Sequence, residues 1–224
     1  NIVNIGHFSR LNYKKWPKIE KITMGTPFEW LNTVPTRKNQ HEQDRILDAQ
    51  YIAELWDAVK KLPVFERKPV EDFIAEDIVM RNLIWAIRLK VYYYMKPEEI
   101  IPRLVSEGDE ATKNDTLSGP AFKILEKDVN SWADWSDWKY ADLLNPHTEG
   151  DVWQIDPRWV QQAVNIRLNK MALQQFHQNP FTAHVLVTWF EIKEQELNLI
   201  RTAAEGLRMN VSESQLKEFA GIAK

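Results

Sequence analysis

No cysteine occurs among the 224 residues, which excludes disulfides, thiolate metal sites and a cysteine nucleophile, and suits a reducing compartment, with the cytosol as the default. Glycine is scarce at seven residues. Together with eleven prolines it supplies too few turn formers for an all-β chain, which needs a turn every ~8–12 residues. Long apolar runs are missing as well: Ile84-Trp85-Ala86-Ile87 and Val185-Leu186-Val187 fall far short of the roughly 20 residues of a membrane helix, so any tie to a membrane is expected to be peripheral. Charge of one sign is equally absent. The 29 basic residues are interspersed among 32 acidic ones for a net −3, and with no electropositive stripe nucleic acid is not expected as a partner. The first residues, from Asn1, carry no basic-plus-apolar leader, and the missing initiator Met suggests a segment upstream.

Catalytic templates are unfilled. His7, His41, His147, His177 and His184 include no His-Glu-x-x-His and no pair four residues apart, and His177 and His184 straddle Pro180. No phosphate loop, dinucleotide-binding glycine pattern or nucleophile elbow is present. Glu107, Asp109, Glu110 and Asp115 lack the glycine and terminal glutamate of a calcium loop and read as a solvated segment. The expectation is a protein that is not an enzyme, with no catalytic residue, no cofactor and no metal.

What is present is helical periodicity. Apolar residues at Ile46, Ala49, Ile52, Ala53, Trp56 and Val59 predict a helix over 40–62 that stops at Pro63. A second long helix is predicted from about Pro69 to Tyr94, with Phe73, Met80, Leu83, Ile84, Ile87 and Val91 on its buried side. Before these, Thr26-Pro27 predicts a short helix to about Asn32; after them, Pro97-Glu98-Glu99 starts another, its acids placed against the helix dipole. Residues 106–119 are polar and turn-rich and read as a linker. Helix is predicted again over 120–144, with Trp132, Trp135 and Trp138 along one face as core or as an interaction ridge. Asp156-Pro157 opens a helix through Gln178 with Trp159, Val160, Ala163, Ile166, Met171 and Leu173 as its apolar positions. Thr182 caps the last long helix, to about Gly206, and Ser212-Glu213 starts a final short one through Phe219. Glu194, Glu196 and Arg201 read either as an interhelical polar cluster or as an exposed face with pairs such as Arg201 with Glu205.

The order long helix, proline break, long helix, short helix occurs twice. A shift of about 117 residues pairs Phe73 with Phe190, Asp77 with Glu194, Met80 with Leu197 and Leu83 with Ile200; a shift of about 116 lays Asn82-Leu83-Ile84 over Asn198-Leu199-Ile200. The expected fold is therefore all-α, an elongated helical body of two related repeats, 1–105 and 120–224, joined by the linker 106–119.

Lys193-Glu194-Gln195-Glu196-Leu197, followed by Gly206 and the segment Val211 to Leu216, resembles the signature helix of the V/A-type ATPase central-stalk connector, a family with prokaryotic and eukaryotic branches. Asp77 to Leu83, with Arg81-Asn82 inside it and Arg88 beyond, resembles the family's equivalent element. After Leu197 the chain has Asn198-Leu199 where the family has Arg-Asn, and it shows two helical units where family members resemble three. The resemblance implies a non-catalytic rotor connector, peripheral to the membrane on its cytoplasmic side, with the rotor ring and central axle of a rotary ATPase as partners in ion transport. The interaction residues it suggests are Asp77, Arg81, Asn82, Arg88, Glu194, Glu196, Asn198 and Arg201, to which the three tryptophans are added. The alternative reading of the same helices is a scaffold or adaptor unrelated to transport.

Overall fold

The structure is a computed structural model, and it describes residues 11–108 and 110–219. Residues 1–10, with His7, and Asp109 of the acidic segment lie outside the described residues. Among the described residues the regular structure is helical, with no strand. The helices are α1 (Ile19–Thr23), α2 (Gln40–Lys60), α3 (Val64–Tyr92), α4 (Pro97–Ile100), α5 (Gly119–Leu125), α6 (Trp132–Trp135), α7 (Pro157–Phe176), α8 (Ala183–Arg208) and α9 (Glu213–Phe219). Contacts divide the chain into two compact units, Asn1–Ile52 and Ala53–Lys224, so that residues 106–119 fall inside the second.

In the first unit, α1 ends where Gly25 takes a φ of +73°, a left-handed conformation that costs glycine least. The helix expected from Pro27 does not form. Leu31 N–H donates to the Phe28 carbonyl at 2.9 Å, while the Pro27 carbonyl that a helix would use accepts from Gln50 Nε2 at 2.9 Å. Gln50 Oε1 in turn accepts from Trp30 Nε1 at 2.8 Å, so α2 holds the preceding segment in turns.

The second unit is built around α3, 29 residues long and packed on α5, α7 and α8. Its start lies five residues ahead of Pro69, because Pro63 at the N-cap lets Glu66 and Arg67 donate to the Pro63 carbonyl, both at 2.9 Å. Pro69 then stands early enough in the helix to be tolerated. Met80, Leu83, Ala86 and Ile87 are sealed from solvent with Ile100, Ala121, Ile124, Trp135, Ile155 and Val160. The continuous helix expected over 120–144 is broken into α5, α6 and a 3-10 turn at Ala141–Leu143. Lys90 is the reason: its ammonium reaches out from α3 and donates to the carbonyls of Ile124 at 3.1 Å, Leu125 at 3.0 Å and also Lys127, which ends α5. A recurrence of three residues also suits short 3-10 turns better than the 3.6-residue period of an α-helix.

Helix α7 opens on Asp156, whose carboxylate accepts from Arg158 N–H at 2.9 Å, with Pro157 in the first turn. Its buried line is Val160, Val164, Leu168 and Ala172, whereas Trp159, Ile166 and Leu173 of the expected apolar set face outward. Helix α8 pairs with α7 and runs past Gly206, which is buried inside it; a side chain there would collide with Leu216 of α9. Glycine at this position serves the crossing of two helices, not the end of one.

Candidate functional site

The residues that suggest a function come together where α3 meets α8. Asp77 and Arg81, one turn apart on α3, pair with Arg81 Nε at 3.0 and 3.1 Å from the two carboxylate oxygens. Asp77 is the more covered partner, its side chain 14% exposed against 57% for Arg81. Across the interface α8 presents Glu191 and Glu194 to the same guanidinium. Desolvation works against the Arg81 cation, but Asp77 and the two glutamates outweigh it and hold the charge more firmly than in water. Glu191 moves the other way: burial, aided by the like charges of Asp77 and Glu194, raises its carboxyl above the usual range, against the opposing effects of Gln195 and Arg81. Gln195 Nε2 donates to Glu191 Oε1 at 3.1 Å.

Two further polar links tie α3 to the α7–α8 pair. Glu66 Oε2 accepts from the Ala183 N–H at 2.8 Å and so caps α8 from another helix, while the Thr182 hydroxyl at the N-cap turns back to the Asn179 carbonyl at 2.7 Å. Glu76 accepts from Arg167 Nε and Nη2 at 3.1 and 3.0 Å, with the Arg167 guanidinium 5.6 Å above the Tyr140 ring. Glu66, Glu76 and Glu191 were not singled out by sequence, and Gln195 stood in the quoted motif without being taken as an interaction residue. Their only signal was an acid or amide at a helical step from the inward positions, and many exposed residues share it.

Asn82 does a different task. It is 2% exposed, donates to the carbonyls of Val105 and Leu117 at 2.7 and 2.9 Å, and accepts from the Val105 N–H at 2.9 Å. Asp115 completes the loop by accepting from Leu117 N, Ser118 N and Glu107 N at 3.0, 2.7 and 2.9 Å. The polar segment after α4 is thus bonded to α3 at both ends.

The other expected residues stand apart from this cluster. Glu196 is exposed and pairs with Lys193 at 2.6 Å; Arg201 is exposed; Arg88 and Asn198 are half-buried. Glu205 bonds Arg208 at 2.9 Å, where a pair with Arg201 was expected. Trp135 is fully buried, its Nε1 donating to the Asp128 carbonyl at 2.6 Å, and Trp138 is 6% exposed and packs edge-on against Tyr140. Both rings are core. Trp132 is half-buried and lies flat on His147 at 5.1 Å, so no row of three outward rings exists.

The α3–α8 cluster couples fixed charges but holds no nucleophile beside a base, and among the described residues no group of three or more His, Asp or Glu is placed to hold a metal. No helix among the described residues is long and apolar enough to cross a membrane. Among the described residues the class defined by this architecture is an all-helical protein whose long helices α3, α7 and α8 are joined by an ion pair and hydrogen bonds. The chain belongs to the ATP synthase (C/AC39) subunit family, which it matches over residues 17–219, and members of that family are stalk components of V/A-type rotary ATPases. An uncharacterized protein of Treponema pallidum (strain Nichols) is 27% identical over 220 residues, 98% of this chain and 64% of the relative, so the chain spans about two thirds of that relative's length. No solved structure matches the chain.

Proposed function

We propose that the protein is a non-catalytic connector of a V/A-type rotary ATPase, seated on the cytoplasmic face of the membrane rotor ring and holding the central axle so that rotation is coupled to ion transport. The observation that carries this is the family match across residues 17–219. A connector of this kind makes and breaks no bond; it transmits torque, which requires a body that does not deform. The features that support the reading are mechanical. Close packing around Met80, Leu83 and Ile87 resists compression, and Glu66 and Glu76 key α3 to α8 and α7. The same arrangement supports two related repeats: displaced by about 117 residues, the limits of α2 and α3 fall within two residues of those of α7 and α8.

The test is recovery of an affinity-tagged chain from native membranes in mild salt. Rotor-ring or axle proteins are expected to come with it, and their absence would leave the helical scaffold as the better account. ATP hydrolysis by the isolated chain would overturn the non-catalytic assignment.

A further inference from the structure

The near-even charge of the whole chain hides a segregation. Residues 1–39 hold seven of the 29 basic residues and two of the 32 acidic ones, a balance of +5, while residues 40–224 hold 22 basic and 30 acidic, a balance of −8. Most of the excess gathers in one small structure of the first unit. From Asn12 to Ile22 the backbone folds through successive tight turns. Lys15 N–H donates to the Asn12 carbonyl at 3.2 Å, Trp16 N–H to that of Tyr13 at 3.1 Å, Lys18 N–H to that of Lys15 and Lys21 N–H to that of Lys18, both at 3.0 Å. Asn12 N–H donates to the Ile22 carbonyl at 3.5 Å and closes the ends. Ile22 and Thr23 are buried and hold the closed loop down, the Thr23 hydroxyl donating to the Leu31 carbonyl at 3.1 Å. What the loop turns outward is Lys14, Lys15, Lys18 and Lys21, with the Trp16 ring among them at 58% exposure. Among the described residues none of the four ammonium groups has an acidic partner, and the indole has neither a hydrogen bond nor a ring contact. The loop sets one acid, Glu20, against them. Folding alone does not call for this arrangement: the like charges repel one another, and an outward tryptophan forgoes the burial open to so large a ring.

We propose that the loop from Asn12 to Ile22 is a docking surface for the anionic phospholipid headgroups of a bilayer. Lysine ammonium groups are compact point charges on flexible stems, suited to a diffuse layer of phosphates, and each strengthens binding about fivefold when it reaches an anionic membrane surface. Trp16 adds the amphipathic ring that settles at the headgroup level, its apolar body toward the acyl chains and its N–H toward water. Nucleic acid is recognised by other means, arginine forks on phosphates and bases and several stacking rings, whereas this loop has no arginine and one exposed ring. The chain as a whole, at −3, is repelled by an anionic surface, so the attraction has to come from the loop itself. The contact is with lipid and with no protein subunit. It therefore stands independently of the rotary reading and acts beside any contact made through a rotor ring.

The full 224-residue chain is to be sedimented with vesicles of phosphatidylcholine alone and of phosphatidylcholine with ~30% phosphatidylglycerol, at ~0.1 M and ~0.5 M salt. Binding at least about tenfold stronger to the anionic vesicles is expected, and most of it is lost in the higher salt. Lys15→Gln and Lys18→Gln, with circular dichroism unchanged, each weaken it about fivefold. Lys61→Gln, which removes an exposed lysine outside the loop, leaves it unaltered. Trp16→Ala weakens binding without changing its salt dependence. Equal binding to the two kinds of vesicle, or none to either, overturns the proposal, as does a loss in Lys61→Gln equal to that of the loop variants. Duplex DNA that displaces the chain from the vesicles at a lower phosphate concentration than the lipid presents assigns the loop to nucleic acid and overturns it too. None of these outcomes bears on recovery of ring or axle proteins from native membranes, which tests the rotary reading separately.

Discussion

His184 sits in the first turn of α8 with no exposed surface, its ring edge-on to Phe73 at a centroid distance of 6.2 Å, and neither ring nitrogen hydrogen-bonds to the protein. Burial lowers its pKa in the folded state below the value of ~6.5 that an unfolded histidine has. The unfolded chain then binds the proton more readily. Stability from this residue is complete above pH ~6.5 and is lost as pH falls below it. Replacing the ring by a shape that needs no hydrogen bond, His184→Leu, is expected to raise stability by about 1 kcal/mol and to flatten its fall between pH ~6.5 and ~5.5, as urea midpoints at the two pH values would read. Glu191 carries the opposite sign. An acid whose folded pKa is raised loses part of its contribution as pH climbs from the unfolded value of ~4.3 toward the folded one. Glu191→Gln keeps an acceptor for Gln195 while removing a like charge from beside Asp77 and Glu194. A gain of a few tenths of a kcal/mol at neutral pH is expected once solvent screening of this half-buried group is allowed for, and a loss there would show that Arg81 needs the charge. Asn82→Ala strands three backbone groups of the 105–117 loop, the Leu117 carbonyl buried and the two of Val105 partly so. It should cost about 3 kcal/mol, seen as a lower denaturant midpoint.

At the level of elements, α8 and α9 depend on one hydrogen-only position. Alanine at 206 gains about 1 kcal/mol of helix propensity, yet its methyl would occupy the place of the Leu216 side chain. Gly206→Ala is therefore expected to leave α8 intact and release α9, so that amide exchange over 213–219 quickens while that of α3 does not change. Exchange unaltered over 213–219 would mean that Leu216 finds another seat. The long helices, unlike this crossing, could be read in advance. Prolines at 63, 157 and 180 and an apolar side at 3.6-residue spacing mark the limits of α2, α7 and α8 to within a few residues. The two stretches where an expected helix did not form as such share a cause, a distant side chain that takes the backbone group a helix would have used. Gln50 does so to Pro27, and Lys90 to the end of α5. No local pattern encodes such a partner. The site divides the same way: Asp77, Arg81 and Glu194 were legible through a motif, whereas Glu191, outside it, joined them only because α8 turns its polar side inward.

At the scale of the whole chain, each compact unit carries its own bonds. In the first, the Thr23 hydroxyl donates to the Leu31 carbonyl, Trp30 Nε1 donates to Gln50, and Gln50 donates to the Pro27 carbonyl, which ties the turns between α1 and α2. The largest buried cluster of the second runs from Val79 and is closed by α5, α7 and the tryptophans, with no residue before Ala53 in it. Asn39 supplies a start for α2 without the upstream segment, since its side-chain oxygen accepts from the Thr36 N–H and hydroxyl at 2.6 and 2.8 Å. A chain that begins at Thr36 is therefore expected to fold with the same α3, α5, α7 and α8 core and to unfold in one cooperative step. It should lose less than about 1 kcal/mol, a shift of roughly 3 °C in Tm for a body of this size. Near-ultraviolet circular dichroism is the sensitive readout, because Trp135, Trp138 and Trp153 are buried in that core and lose their signal if it loosens. If the shortened chain melts without cooperativity, or its tryptophan signal collapses while helicity remains, then α3 relies on the first unit and the division at residue 53 does not mark an independent body.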